Sequence, residues 1–146
     1  MNVTLRPLSA ENWHECIRLR VADEQDDYVA PNLYSIAETR FEPTWMPLVI
    51  YADEMMVGFT LYDTSDYEIV RFMIDARYQG KGYGRAAIQL LLAQFEREQA
   101  HPSTSLSFVH GNTAAEQLYT SVGFRKTGKI VDGELVMVRP LPATNS

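Results

Sequence analysis

What the chain lacks narrows its possible roles first. Among 146 residues there is a single cysteine, Cys16, so no intramolecular disulfide can form and an apolar core has to hold the fold. No apolar stretch reaches the roughly 20 residues of a transmembrane helix. The amino terminus also lacks the pattern of a secretory leader, and the expected location is the cytoplasm. Positive charge is scarce: 13 Lys and Arg against 19 Asp and Glu leave a formal net charge of -6. Such a chain is a poor match for nucleic acid or an anionic membrane and favours a small cationic molecule. His14, His101 and His110 show no metal-ligand spacing, so no metal is expected. Repeats, linkers and low-complexity segments are missing too, which leaves one domain over 1–141 and a short tail over 142–146. A hydrophobic content of 46% suffices for a domain of this size to bury a core without staples.

The segments that are present alternate in character. Val3 to Arg6 reads as a strand, and Ser9 caps a helix whose apolar positions include Trp13, Cys16, Ile17 and Leu19. Asp23 to Pro31 interrupts it. Asn32 then caps a second helix, Leu33 to Phe41, which must end before Pro43. Three β-branched or aromatic runs follow, Leu48 to Ala52, Met56 to Tyr62 and Tyr67 to Asp75, joined by short acidic turns suited to hairpins. A helix from Arg85 to Glu98, a strand from Ser105 to Val109, and a helix from Thr113 to Ser121 capped by Asn112 come next. Two last strands, Phe124 to Val131 and Glu134 to Arg139, turn at Asp132-Gly133, a type I′ pair. The expected fold is mixed α/β: about seven strands in a mostly antiparallel sheet flanked by four helices, in the order β-α-α-β-β-β-α-β-α-β-β.

Between the third hairpin strand and the third helix lies Tyr78-Gln79-Gly80-Lys81-Gly82-Tyr83-Gly84. A strand, a glycine turn and a helix in succession aim the first helical N–H groups, and the positive end of the helix dipole, at whatever occupies the turn. Gly80, Gly82 and Gly84 permit positive φ and close approach, while Lys81 and Arg85 add charge. The turn is a candidate anion cradle. A Walker A loop would need Lys and then Ser or Thr after its last glycine, and Arg85-Ala86 stands here. A dinucleotide fingerprint would need Gly-x-Gly-x-x-Gly early in the chain. The remaining pattern, Gln-x-x-Gly-x-Gly from Gln79 to Gly84, resembles the pyrophosphate loop of the GCN5-related N-acetyltransferases (GNAT), which bind acetyl-coenzyme A. Asn112, Tyr119, Gly123 and Phe124 resemble a second segment of that family, with Ala115 shifted by one position.

The resemblance spans roughly Val3 to Leu141 and implies transfer of an acetyl group from the thioester of acetyl-coenzyme A to an amine by direct attack. It implies that main-chain N–H groups of Phe72, Met73 and Ile74 hold the pantetheine arm and polarise the thioester carbonyl. It further implies that Gln79, Gly80, Lys81, Gly82, Tyr83, Gly84 and Arg85 receive the pyrophosphate, and that Asn112 contacts the coenzyme or caps its helix, or both. Tyr119 becomes the candidate acid for the departing thiolate. It shares a helical face with Ala115, Leu118 and Val122, so it also reads as a core tyrosine.

Two roles stay open in the sequence. An aliphatic amine with a pKa of about 10.4 is almost wholly protonated at neutral pH, so a proton acceptor is needed. Some family members carry a glutamate where this chain has Val70. Glu68, on the same strand face as Val70 and Phe72 by alternation, is the candidate base, acting through water, as against a solvent-exposed carboxylate; His110 is a second candidate. The window Asp23, Glu24, Asp26, Asp27 and Tyr28 is the most acidic in the chain and resembles the acceptor region of bacterial spermine and spermidine acetyltransferases. It reads either as a polycation site, by Coulomb and cation–π attraction, or as a solvated loop. The expected partner is a small cationic amine, with a homodimer possible. The alternatives are acetylation of another amine, such as an aminoglycoside or a protein amino group, and a non-catalytic coenzyme-binding module.

Overall fold

The structure is a computed structural model and describes residues 2–143; of the expected tail, positions 144–146 lie outside the described residues. The elements run β1 Val3–Pro7, α1 Trp13–Cys16, α2 Asn32–Glu38, β2 Trp45–Ala52, β3 Met55–Asp63, β4 Glu68–Ile74, α3 Tyr83–Glu98, β5 Ser103–Val109, α4 Thr113–Ser121, β6 Arg125–Val131 and β7 Glu134–Pro140. Short 3₁₀ turns occupy Asp23–Gln25 and Ala76–Tyr78. The seven strands form one sheet in the order β1-β2-β3-β4-β5-β7-β6. Every neighbouring pair is antiparallel except β4 and β5. The element order and class match the reading of the sequence.

Hydrophobic burial on both faces places the helices. One face packs under α3 and α4, where Ile69, Leu91, Phe95, Leu106, Phe108 and Tyr119 share a cluster. The other packs under α1 and α2, through Cys16, Leu19, Val49, Phe59, Leu61 and Met73. Cys16 is fully buried, and burial pushes its thiol up to about 12 against help from an Asn32 hydrogen bond, so it is a packing residue rather than a nucleophile.

Local chemistry shifts several expected boundaries. The α-helical part of the first helix is short, Trp13–Cys16, and Ser9 caps the turn that leads into it: its hydroxyl accepts from Glu11 N at 3.3 Å while Asn12 Oδ1 accepts from Ser9 N at 2.8 Å. Asn32 does not cap α2; Pro31 holds that place. The Asn32 amide turns inward and donates to the Cys16 carbonyl at 2.9 Å, which also accepts from Leu19 N at 3.2 Å, tying the start of α2 to the end of α1. The β6–β7 turn has the positive φ values of a type I′ pair, 51° at Asp132 and 80° at Gly133.

The feature with most consequence for the site is an irregularity in β4. Leu61 faces Arg71 and Tyr62 faces Ile69, which leaves Val70 as an extra residue. Side chains therefore change face at this bulge. Ile69 and Phe72 both pack on the α3–α4 side, whereas Val70 and Met73 pack on the α1–α2 side. The strict alternation expected for Glu68, Val70 and Phe72 does not hold.

Gly58 keeps β3 and β4 in close contact at the other end of their ladder. It lies opposite Ile74, and a Cβ there would strike the Met73 carbonyl oxygen, with Ile74 Cδ1 at 2.9 Å and Ile50 Cδ1 at 3.2 Å. We expect Gly58→Ala to destabilise the protein by about 3 kcal/mol, read as a lower urea midpoint at unchanged slope. An unchanged midpoint would show that the two strands separate without cost.

Candidate active site

β4 and β5 are joined by only two residue pairs, Glu68 with Ser105 and Ile69 with Leu106. Past them the strands part, and a cleft of about 700 Å³ opens between Phe72–Ile74 on one side and Ser107–Val109 on the other. On the side of β4 turned to β5, the backbone after Ile69 has no partner strand. The α3 amino terminus, α4 and the loop before α2 complete the walls.

The turn between β4 and α3 is built on Asp75, which is 4% exposed. Its carboxylate caps the Ala76–Tyr78 turn from Arg77 N at 3.0 Å, receives Arg77 Nε at 2.8 Å and takes Arg20 N at 2.9 Å. Burial alone would raise its pKa, but the Arg77 side chain and the Arg20 and Arg77 amides hold it below the usual carboxylate range. Gln79 follows, and its amide donates to Ile74 O at 2.9 Å and to Gln25 Oε1 at 2.8 Å. Gly80 and Gly82 have φ of 76° and 86° with open space where a Cβ would be, so backbone conformation alone demands glycine there. Gly82 is the N-cap of α3 and offers no side chain to its first amides. At Gly84 neither a positive φ nor a clash demands glycine. A Cβ would stand 3.5 Å from Ile74 Cγ1 and 3.7 Å from both Phe72 and Leu118, filling a cradle between β4 and α4. Arg85 lines the cleft, with Nη1 donating to Ser121 Oγ at 2.7 Å.

From α4, Asn112 and Tyr119 reach the same cleft. Asn112 Oδ1 accepts from Ala115 N at 3.3 Å as the helix cap. Tyr119 is 8% exposed and sits edge-on to Phe72 and Phe124, with centroids 6.5 and 6.0 Å away. Burial raises its pKa well above the usual phenol value, so the hydroxyl keeps its proton throughout the physiological range. The core and acid readings of this residue are compatible: the ring belongs to the core cluster and the residue forms part of the cleft wall.

The acetyltransferase (GNAT) family model matches residues 9–124. The chain belongs to the GNAT family of acetyltransferases. It is 26% identical over 152 residues to the spermine/spermidine N(1)-acetyltransferase of Bacillus subtilis (strain 168), covering 97% of this chain and 100% of that protein. N-acetyltransferase 8F1 of Rattus norvegicus is 25% identical over 130 residues, 86% of this chain and 56% of that protein. Among solved structures, the fold resembles the spermidine N-acetyltransferase of Vibrio cholerae in complex with CoA and spermine. There the TM-score is 0.76 at 19% identity, over 95% of each chain. It also resembles the ribosomal-protein-S18-alanine N-acetyltransferase of Escherichia coli, with a TM-score of 0.74 at 18% identity over 99% of this chain and 97% of that one. As a GNAT protein the chain is an acetyl-coenzyme A dependent N-acetyltransferase, and the glycine turn and the Gly84 cradle suit that co-substrate. Among the described residues no cluster of His, Cys, Asp or Glu could hold a metal ion, and no helix is long and apolar enough to cross a membrane.

In this GNAT cleft the structure gathers Phe72, Met73, Ile74, Gln79, Gly80, Gly82, Tyr83, Gly84, Arg85, Asn112 and Tyr119. Lys81 is exposed and stands outside the lining. The acidic window divides: Asp26, Asp27 and Tyr28 line the cleft, Asp23 lines a separate depression beside Asp75 and Arg77, and Glu24 lines neither. Glu68 is not among the lining residues, and the bulge takes it out of phase with Phe72. His110 is exposed and also outside the lining. Sequence reasoning missed Ser107 and Glu134, which do line the cleft and are hydrogen-bonded to one another at 3.1 Å. Glu134 could be singled out only by knowing that β7, not β6, lies beside β5.

Because the Asp75 pKa is depressed in the folded chain, its contribution is present above the unfolded value of about 3.9 and is lost as pH falls through that range. Asp75→Asn should therefore melt below wild type at pH 7, with the gap closing below about pH 4. A gap independent of pH would show that the charge itself contributes nothing.

Proposed function

We propose that this acetyltransferase acts on a polyamine, acetylating a primary amine of spermine or spermidine. The observation that carries the reading is the pairing, in one cleft, of the glycine cradle at α3 with Asp26, Asp27 and Tyr28 at the rim. Each exposed carboxylate meeting an ammonium at about 4 Å contributes on the order of 1 kcal/mol, and Tyr28 adds an aromatic face for a cation. Several weak contacts in a row suit a flexible polycation better than a compact monoamine. The 26% identity to a spermine/spermidine acetyltransferase across nearly the whole chain supports the same substrate class.

Acetyl-coenzyme A supplies an activated acetyl thioester. The α3 amino terminus and the Gly80 to Arg85 turn hold its pyrophosphate by backbone N–H groups and dipole. The free edge of β4 at Phe72, Met73 and Ile74 holds the pantetheine arm and polarises the carbonyl. Tyr119 gives a proton to the leaving sulfur.

Release of thiol from acetyl-coenzyme A by the purified protein tests the substrate class, across spermine, spermidine, a diamine, an aminoglycoside and a lysine peptide. Saturable release with polyamines alone is expected, and Asp26→Asn with Asp27→Asn should raise the polyamine KM about tenfold at little change in kcat. Release confined to another amine, or an unmoved KM, would overturn the polyamine reading. Tyr119→Phe should lower kcat by about 10² to 10⁴ while coenzyme binding stays within twofold; an unaffected kcat would remove Tyr119 as the acid.

A further inference from the structure

We propose that Glu134 is the proton acceptor for the attacking amine, held in place by Ser107; this rests on the amine-acetylating reading above. β5 alternates cleanly, with Thr104, Leu106 and Phe108 buried, and Leu106 and Phe108 pack on the α3–α4 side. Ser105, Ser107 and Val109 consequently face the α1–α2 side. Residues opposite one another in a ladder share a face. Glu134 stands opposite Val109 and Glu68 opposite Ser105, so both carboxylates emerge on that same side. This is the side from which the Asp26 to Pro31 loop lines the cleft.

Of these two, Glu134 lines the cleft and Glu68 does not. The other carboxylates in the lining, Asp26 and Asp27, belong to the exposed loop at the rim. Among the described residues Glu134 is thus the carboxylate that the sheet itself contributes to the cleft. The type I′ turn at Asp132-Gly133 sets it as the first residue of β7, and the Ser107 hydroxyl donates to its Oε1 at 3.1 Å. That contact fixes one oxygen and leaves the other to accept. Arg71, Asp26 and Asp27 share the cleft lining with it, and Glu68 lies near enough to respond to it: burial first, then Asp66, Asp63 and Glu134 raise the Glu68 pKa, with Arg71 opposing.

The proton balance closes with these residues. Glu134 takes one proton from the ammonium and later releases it to solvent. The freed nitrogen lone pair forms the C–N bond, the C–S bond breaks with its electron pair going to sulfur, and sulfur takes the Tyr119 proton. The second proton lost by nitrogen restores the tyrosine, so amide and free thiol are the products.

The test is the pH profile of spermidine acetylation by wild type and Glu134→Gln. At pH 7 the variant should lose about 10² or more in kcat/KM for spermidine, with the KM for acetyl-coenzyme A unchanged. Its deficit should shrink toward threefold or less as the pH approaches the pKa of the amine, because the substrate then arrives already neutral. Ser107→Ala, which loosens the carboxylate without removing it, should show a smaller deficit with the same pH trend. A deficit below threefold at pH 7, or one that is constant with pH, would overturn the assignment, the latter marking Glu134 as merely structural. Absence of wild-type turnover with every amine would instead remove the reading on which the assignment rests.

Discussion

Two residue pairs between parallel strands, Glu68 with Ser105 and Ile69 with Leu106, join the two halves of the sheet, and the site exists because the joining stops there. A parallel pair cannot be closed by a tight turn, so the chain must cross from β4 to β5 through a helix. That helix, α3, then presents its amino terminus at the end of β4. Had the ladder continued to Ile74 and Val109, its hydrogen bonds would have consumed the β4 edge and filled the cleft. The same parting supplies a backbone edge, a helix dipole and a cavity at one place.

The bulge at Val70 decides how the two faces of β4 are used. Before it, Ile69 belongs to the cluster beneath α3 and α4; after it, Phe72 does, three residues later rather than two or four. Val70 and Met73 are correspondingly turned to the helices on the other side. Phe72 is thereby free to meet Tyr119 edge-on. A bulge beside a reactive centre is a common device for re-aiming side chains, and here it also takes Glu68 out of line with Phe72.

Besides packing Leu19, Val21 and Val29 into the apolar cluster, the loop between α1 and α2 is tied to the turn between β4 and α3 by backbone and amide contacts. Arg20 is held by Asp75 and Ala76, at 2.9 and 2.7 Å. Gln25 is held by Gln79 at 2.8 Å, and the Tyr28 hydroxyl comes within 4.0 Å of the position a Gly111 Cβ would take. Gln79, which reads in sequence as a ligand of the pyrophosphate, is therefore also the tie between the glycine turn and the acidic loop. Asp26 and Asp27 remain exposed at the rim, where a cationic chain can reach them without desolvating a buried charge.

Local chemistry carried much of this fold in the sequence. Period-two and period-3.6 patterns, the Asp132-Gly133 turn, the Asn112 cap and the Gln79 to Gly84 spacing each rest on residues close in the chain, so all are legible in the order of the residues alone. The polar residues of the interior are not. Asn32 has the composition of a cap, yet it is buried against Cys16, sixteen residues away, with its amide donating to the carbonyl at the end of α1. Glu68 stands in phase with Phe72 only if β4 is regular, and the extra residue is fixed by pairing with β3. Ser107 and Glu134 meet because β7 inserts between β5 and β6, a choice of strand order to which short-range pattern is blind. The sequence by itself determined the elements and the glycine turn, since those depend on backbone preferences over a few residues. Which carboxylates share the cleft was decided by tertiary structure alone, through register and strand order between segments distant in the chain.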